Sequence, residues 1–260
     1  MTTTFTWESL LQPPQNLTTD FRLFLLFVLP TLGFLLYWFT IESPVLKAWA
    51  DKKWGYQQGS LVFFMFNKTW GFAIFGLGCT WAALLLFPEF SLQTLGLGFS
   101  NLPGQDLRPT LAWIGILVPL SLVLSYFQSR KILNTTRDFG RYPEIRVQNW
   151  SWKTLTIHVL FWSLYLTGYE ILFRGTLLVI PAAYLGPWVA VGINTAFYSA
   201  VHIAKGQQEA VGAVVLGLIL CLISLTTGNV WTAVIVHIAL ATSNGYFAYR
   251  GRISIHAKNS

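Results

Sequence analysis

The sequence predicts an all-α, polytopic transmembrane helix bundle of about seven spans, and three observations carry that prediction. Of the 260 residues, 54% are hydrophobic and 10% are charged, against roughly 25% charge in soluble globular domains. Several separate apolar runs reach the ~20 residues that a helix needs to cross about 30 Å of hydrocarbon. These runs, 211–225 among them, are continuous, whereas a transmembrane barrel would show short alternating segments.

The spans fall near Phe21–Ile41, Thr69–Phe87, Leu111–Phe127, Leu155–Tyr184, Pro187–Ala204, Glu209–Thr227 and Val230–Tyr249. Pro30 interrupts the first, at the cost of a kink that neighbouring helices absorb in a bilayer. Residues 61–67 read as an interfacial lead-in to the second. The fourth run is 30 residues long, about 45 Å as a helix, so it tilts, bends or begins outside lipid. Gly168, just before its charged centre, marks the candidate bend. An eighth segment hidden in that run would change the count and the topology.

Charge orients this layout, because basic loops stay on the cytoplasmic side. Lys47, Lys52, Lys53 and Lys68 fall in the first loop, and Arg130, Lys131, Arg137, Arg141, Arg146 and Lys153 in the third. Lys205 falls in the fifth loop, and Arg250, Arg252 and Lys258 in the tail. The opposite side holds Arg108, and the segment before Arg22 has Glu8 and Asp20 but no base. Seven spans with the N-terminus outside and the C-terminus cytoplasmic satisfy every loop. The net charge of +7 therefore reflects membrane orientation, and no nucleic-acid partner is expected. Cys79 and Cys221 lie inside apolar runs and read as packing residues. No signal peptide is read at the N-terminus. No repeat or long linker divides the chain, so residues 1–260 form one integral membrane domain.

Ionisable groups at membrane depth cost about 2.5 to 3.5 kcal/mol each on insertion scales and are functional candidates by default. Glu170 and Arg174 stand at i and i+4, a spacing at which carboxylate and guanidinium meet; alone, the pair reads equally well as a buried ion pair locking helices. His202 closes the fifth span on a polar stripe with Asn194 and Tyr198. His237 lies in the seventh, with Asn244 two turns further on nearly the same side. Glu209 opens the sixth span, either complementing the helix dipole or reaching back to orient His202. His158 has no such company and reads as structural. Hydrolysis within a membrane needs water held against a general base and a donor for the developing oxyanion, and these residue types supply both. Two histidines and a glutamate also match a zinc ligand set, but no His-Glu-x-x-His spacing is present. No metal or cofactor is assigned, and only the tertiary structure can decide the question.

The run Tyr169-Glu170-Ile171-Leu172-Phe173-Arg174-Gly175, followed by Phe197-Tyr198 leading to His202 and by His237 leading to Asn244, resembles the type II CAAX prenyl endopeptidase family, also called the CPBP or Abi membrane proteases. The resemblance covers about residues 142–249. The family's motifs are Glu-Glu-x-x-x-Arg, Phe-x-x-x-His and His-x-x-x-Asn. By position, Glu170 matches the second glutamate, Arg174 the arginine, and His202 and His237 the two histidines. Three positions depart from the pattern. Tyr169 stands at the glutamate usually assigned to activate water, Tyr198 at the phenylalanine, and Ala241 at the asparagine, with Asn244 one turn later.

The resemblance implies an intramembrane endopeptidase in the plasma membrane of a bacterium, acting on membrane-associated, in some members prenylated, peptides or proteins. On that reading Glu170 is the base, His202 holds water, His237 with Asn244 stabilises the oxyanion and Arg174 orients Glu170. Two other classes remain open. An inactive membrane scaffold or immunity-type protein is favoured by Tyr169 and Ala241. A proton-coupled transporter is suggested by a buried carboxylate and histidines and weakened by the lack of an inverted repeat.

Overall fold

The computed structural model describes residues 18–98, 107–134, 144–203 and 206–259, with side chains described as far as 127 in the third of the long spans and 251 in the last helix. The basic side chains expected to orient the third loop (Arg130, Lys131, Arg137, Arg141), Lys205, Arg252 and Lys258 lie outside that description, as does the segment before Thr18. Every regular element in the described residues is helical. In chain order they are α1 (Thr19–Glu42), α2 (Pro44–Trp54), α3 (Tyr56–Leu86), a short π-helical turn (Gln93–Leu97), α4 (Arg108–Asn134), α5 (Trp152–Leu185), α6 (Pro187–Ala200), α7 (Gln207–Thr227) and α8 (Trp231–Asn259).

Local chemistry sets these boundaries. The Thr18, Ser43 and Ser151 side chains accept the backbone N–H groups of Phe21, Leu46 and Thr154, capping α1, α2 and α5, each meeting one of the orphan donors of a first turn. Pro44 and Pro187 occupy the first turns of α2 and α6, where a missing N–H costs nothing. α1 continues unbroken through Pro30.

Among the described residues, five helices are long and apolar enough to cross a membrane: α1, α3, residues 108–127 of α4, α5 and α7. Many of their large side chains point outward; Phe39, Trp81, Leu111 and Ile116 are all exposed. Such a surface calls for lipid as solvent, and the chain reads as an all-helical integral membrane protein. The other two expected spans take a different form. α6 has 14 residues, about 21 Å of helix, and ends four residues before the expected boundary. α8 is long, but Thr232, His237, Thr242, Ser243 and Asn244 interrupt its apolar character. Residues 61–67 are an integral part of α3 and form no separate lead-in.

Contacts between turns gather at two ends of the bundle. At one, Arg22 donates to the Leu86 carbonyl and pairs with Glu89, and the Tyr184 hydroxyl donates to the same carboxylate, holding it below the usual glutamate range. Val230 N–H donates to the Gly96 carbonyl, and Asn229 donates to Thr110. At the other end, residues 144–150 form a strap. Glu144 meets Lys68 at 2.9 Å, Arg146 pairs with Asp51, its N–H donates to Ser60, and Trp150 stacks on Tyr249 at 4.5 Å.

In the middle of the bundle α3 crosses α5 at very close range. A Cβ on Gly76 would sit 2.7 Å from the Cα of Gly168, so both positions require glycine. Each helix widens to π geometry beside this crossing, over Phe72–Cys79 in α3 and Ile171–Thr176 in α5. The irregularity of the long fourth run therefore begins at Ile171. Gly168 serves as the contact point of the crossing.

Candidate active site

The π stretch of α5 starts one residue after Glu170 and contains Arg174. Such widened turns cluster at functional sites because they shift side chains and carbonyls away from regular helical positions. Leu177 N–H returns to the Leu172 carbonyl, and the Phe173 carbonyl accepts instead from the Asn194 side-chain amide at 2.6 Å. Asn194, on α6, thereby fixes the widened turn from outside.

Glu170 and Arg174 have no exposed surface. Arg174 Nε lies 3.0 Å from Glu170 Oε2, an ion pair that lacks the alignment of a hydrogen bond. Arg174 Nη1 donates to Asn194 Oδ1 at 2.5 Å and lies 3.1 Å from Cys221 Sγ on α7, while its guanidinium carbon stands 4.6 Å from the centre of the Tyr198 ring. The other carboxylate oxygen, Oε1, meets His237 Nδ1 at 2.6 Å. A fully buried carboxylate is thus shared by a guanidinium from its own helix and an imidazole from α8, which offsets the desolvation of all three.

His202 sits just past the end of α6, in the turn where its N–H donates to the Ser199 carbonyl. Its Nδ1 lies 2.7 Å from the Tyr198 carbonyl. A carbonyl only accepts, so Nδ1 carries a proton, and in the neutral imidazole Nε2 holds the lone pair. Tyr169 and Tyr198 join the two histidines. The Tyr169 ring centre is 5.6 Å from His237 and 6.5 Å from His202, and that of Tyr198 is 6.1 Å and 4.8 Å away. Among the described residues, the Tyr169 and Tyr198 hydroxyls and Arg174 Nη2 are buried without a hydrogen-bond partner. Buried polar atoms left without protein partners are uncommon and call for an explanation; here they surround one carboxylate and two imidazoles.

The structure thus brings Glu170, Arg174, His237, His202 and Tyr198 into one cluster. Asn244 is half-buried, two turns and about 10 Å along α8 from His237, and makes no hydrogen bond to the cluster among the described residues. Glu209 lies half-buried in the first turn of α7, where a carboxylate complements the helix dipole. His158 is buried in an aromatic nest of Phe64 and Trp150, with Nε2 3.2 Å from the Thr242 carbonyl, in keeping with a structural role. No three His, Cys, Asp or Glu side chains converge at metal-ligand spacing among the described residues. Sequence reasoning gave no site role to three members, of which Tyr169 entered only as a departure from the family pattern. Asn194 stood only in a polar stripe, and Cys221 reads as packing until the guanidinium beside it is seen.

Neither the curated proteins nor the solved structures contain a match to this chain. A family model does match: residues 150–243, from just before α5 to the middle of α8 and including every member of the cluster, match the type II CAAX prenyl endopeptidase Rce1-like family.

Proposed function

We propose that the protein is an intramembrane endopeptidase that uses the Glu170–His237 pair and His202 to activate water against membrane-tethered, lipid-modified peptides. The observation that carries this reading is the 2.6 Å bond between Glu170 and His237, buried beside a second histidine within the Rce1-like segment. A general base oriented by an acid is the arrangement that lets imidazole accept a proton and stay in place. Because both Glu170 oxygens face protein cations or donors, the base role falls to the pair, with His237 Nε2 as the receiving atom. This moves His237 from the oxyanion role expected of it and leaves Asn244 without one. Arg174 Nη2 and the two tyrosine hydroxyls become the donors for developing negative charge, and Tyr169 occupies the position of the family's first glutamate as a donor.

The reading extends to topology. Seven traverses, with α6 and α8 crossing, place the strap end on the cytoplasmic side, where Lys47, Lys52, Lys53, Arg146, Lys153 and Arg250 lie. His202 belongs to that end. α6 is shorter than the roughly 30 Å hydrocarbon thickness, so the turn bearing His202 lies within the bilayer, where irregular backbone is tolerated when it lines a protein site.

Purified protein incubated with lipidated and unlipidated peptides tests this. Glu170→Gln, His237→Ala and His202→Ala should each lower kcat by about 10²- to 10⁴-fold, the usual worth of a general base, with the protein still inserted. Full activity in any of them would end the assignment. A second reading, an inactive scaffold, is favoured by how completely Arg174 and His237 neutralise Glu170. It predicts no cleavage by wild type, and a cellular phenotype that survives all three substitutions.

A further inference from the structure

α2 is a surface helix with one buried residue, Ala50. It lies so close to the first turn of α3 that a Cβ on Gly59 would fall 2.7 Å from the Ala50 carbonyl oxygen. The outward side is unusual for a surface helix. Val45 is 73% exposed, Trp49 53% and, just after the helix, Tyr56 64%. Lys53 Nζ stands 4.6 Å from the Trp54 ring centre and 5.1 Å from that of Trp49, and the two indoles meet edge to face at 5.1 Å.

The charges on this helix do not cancel. Lys47 is paired with Glu42 at 2.9 Å, and Asp51, the one acid of the helix, is engaged by Arg146 from the strap. Lys52 and Lys53 have no acidic partner among the described residues; Lys52 is exposed and Lys53 is held between indoles. Two uncompensated ammonium groups thus share a surface with large exposed aromatics. Water suits the ammonium groups and hydrocarbon suits part of the indoles. The membrane interface suits both, with aromatic rings at headgroup level and lysines reaching to phosphate.

We propose that α2 binds anionic phospholipid headgroups, with Lys52 and Lys53 on the phosphate and Trp49 and Trp54 seated among the headgroups. A zwitterionic headgroup brings its own cation to the same place and gains less, so the site discriminates by charge. The proposal stands apart from the protease reading, since it uses no residue of that cluster. It also assigns α2 a role in fixing the depth of the adjoining α1 and α3.

Native mass spectrometry of the full chain, exchanged into mixed micelles with equimolar phosphatidylglycerol and phosphatidylcholine, tests it. Wild type should retain phosphatidylglycerol in preference, and added salt should weaken that preference. A lysine near an anionic surface is worth about a fivefold effect, so K52Q/K53Q should lose the preference by roughly 25-fold and K52R/K53R should keep it. Both side chains are exposed, and an unchanged Tm would show that K52Q/K53Q is folded. Equal retention of the two lipids by wild type, or an undiminished preference in K52Q/K53Q, would overturn the proposal. So would loss of preference in K52R/K53R, which carries the same charge.

Discussion

Asn194 illustrates how a single side chain can hold a site together without touching its reacting atoms. Its amide nitrogen takes the Phe173 carbonyl and its oxygen takes Arg174, and Arg174 in turn faces Glu170. Asn194→Ala would orphan a carbonyl and a guanidinium N–H in a fully buried place, a loss of about 1 to 3 kcal/mol for an unsatisfied buried group. We expect a lowered Tm together with a kcat reduced more than KM changes, measured on lipidated peptide, because Arg174 would no longer be fixed against Glu170. Asn194→Ser, which restores a shorter donor and acceptor, should recover part of both; a variant as stable and active as wild type would show that Arg174 needs no such support. The sequence makes Glu170, Arg174, His202 and His237 legible because charge in an apolar run is conspicuous. Asn194 and Cys221 are not conspicuous in that way. Their meaning depends on which helices face α5, and pairing across 20 and 47 residues leaves no local signature.

At the scale of elements, the two widened turns and the glycine contact act as one device. α3 and α5 approach so closely at Gly76 and Gly168 that no side chain fits between them, and the π stretch of α5 begins three residues beyond, at Ile171. The crossing thereby fixes where regular helix stops and where Glu170 and Arg174 are presented. Gly168→Ala would place a methyl group 2.8 Å from the Phe72 ring and 3.1 Å from the Gly76 Cα. Overpacking of this kind costs about 1 to 3 kcal/mol, and because backbone is among the atoms met, the helices must separate. Thermal unfolding in detergent should show the lower Tm, and peptide cleavage should fall with it; an unchanged Tm would mean the crossing is looser than its geometry. The 30-residue length of the run announces an irregularity, and a glycine near its charged centre is a reasonable place to expect one. A π turn has no compositional mark, however, so the sequence could locate the irregularity only to within a turn.

For the whole molecule, the question is how many helices traverse the bilayer, and the turn-to-turn contacts bear on it directly. If only the five long apolar helices crossed, three of them, α4, α5 and α7, would separate Gly96 from Val230, and those residues would lie on opposite sides of the membrane. They are hydrogen-bonded. Counting α6 as a traverse makes the number even and removes the conflict. Likewise Tyr249 stacks on Trp150, which α4 separates from Gly96, a contact that the proposed topology accounts for by letting α8 run from one end of the bundle to the other. The apolar-run reading of the sequence expects seven because it weighs hydropathy without demanding full length, whereas five helices are long and apolar enough among the described residues; α6 is short, and α8 carries polar side chains, His237 among them. Single cysteines at exposed positions can test this in intact cells, with Cys79 and Cys221 both buried. Ser91→Cys and Thr226→Cys should react together with an impermeant maleimide from outside, and Gln58→Cys and Arg250→Cys only after permeabilisation. Labelling of Thr226→Cys with the Arg250→Cys group would mean that α8 does not cross, and that His237 reaches Glu170 from a helix folded back on the side it came from.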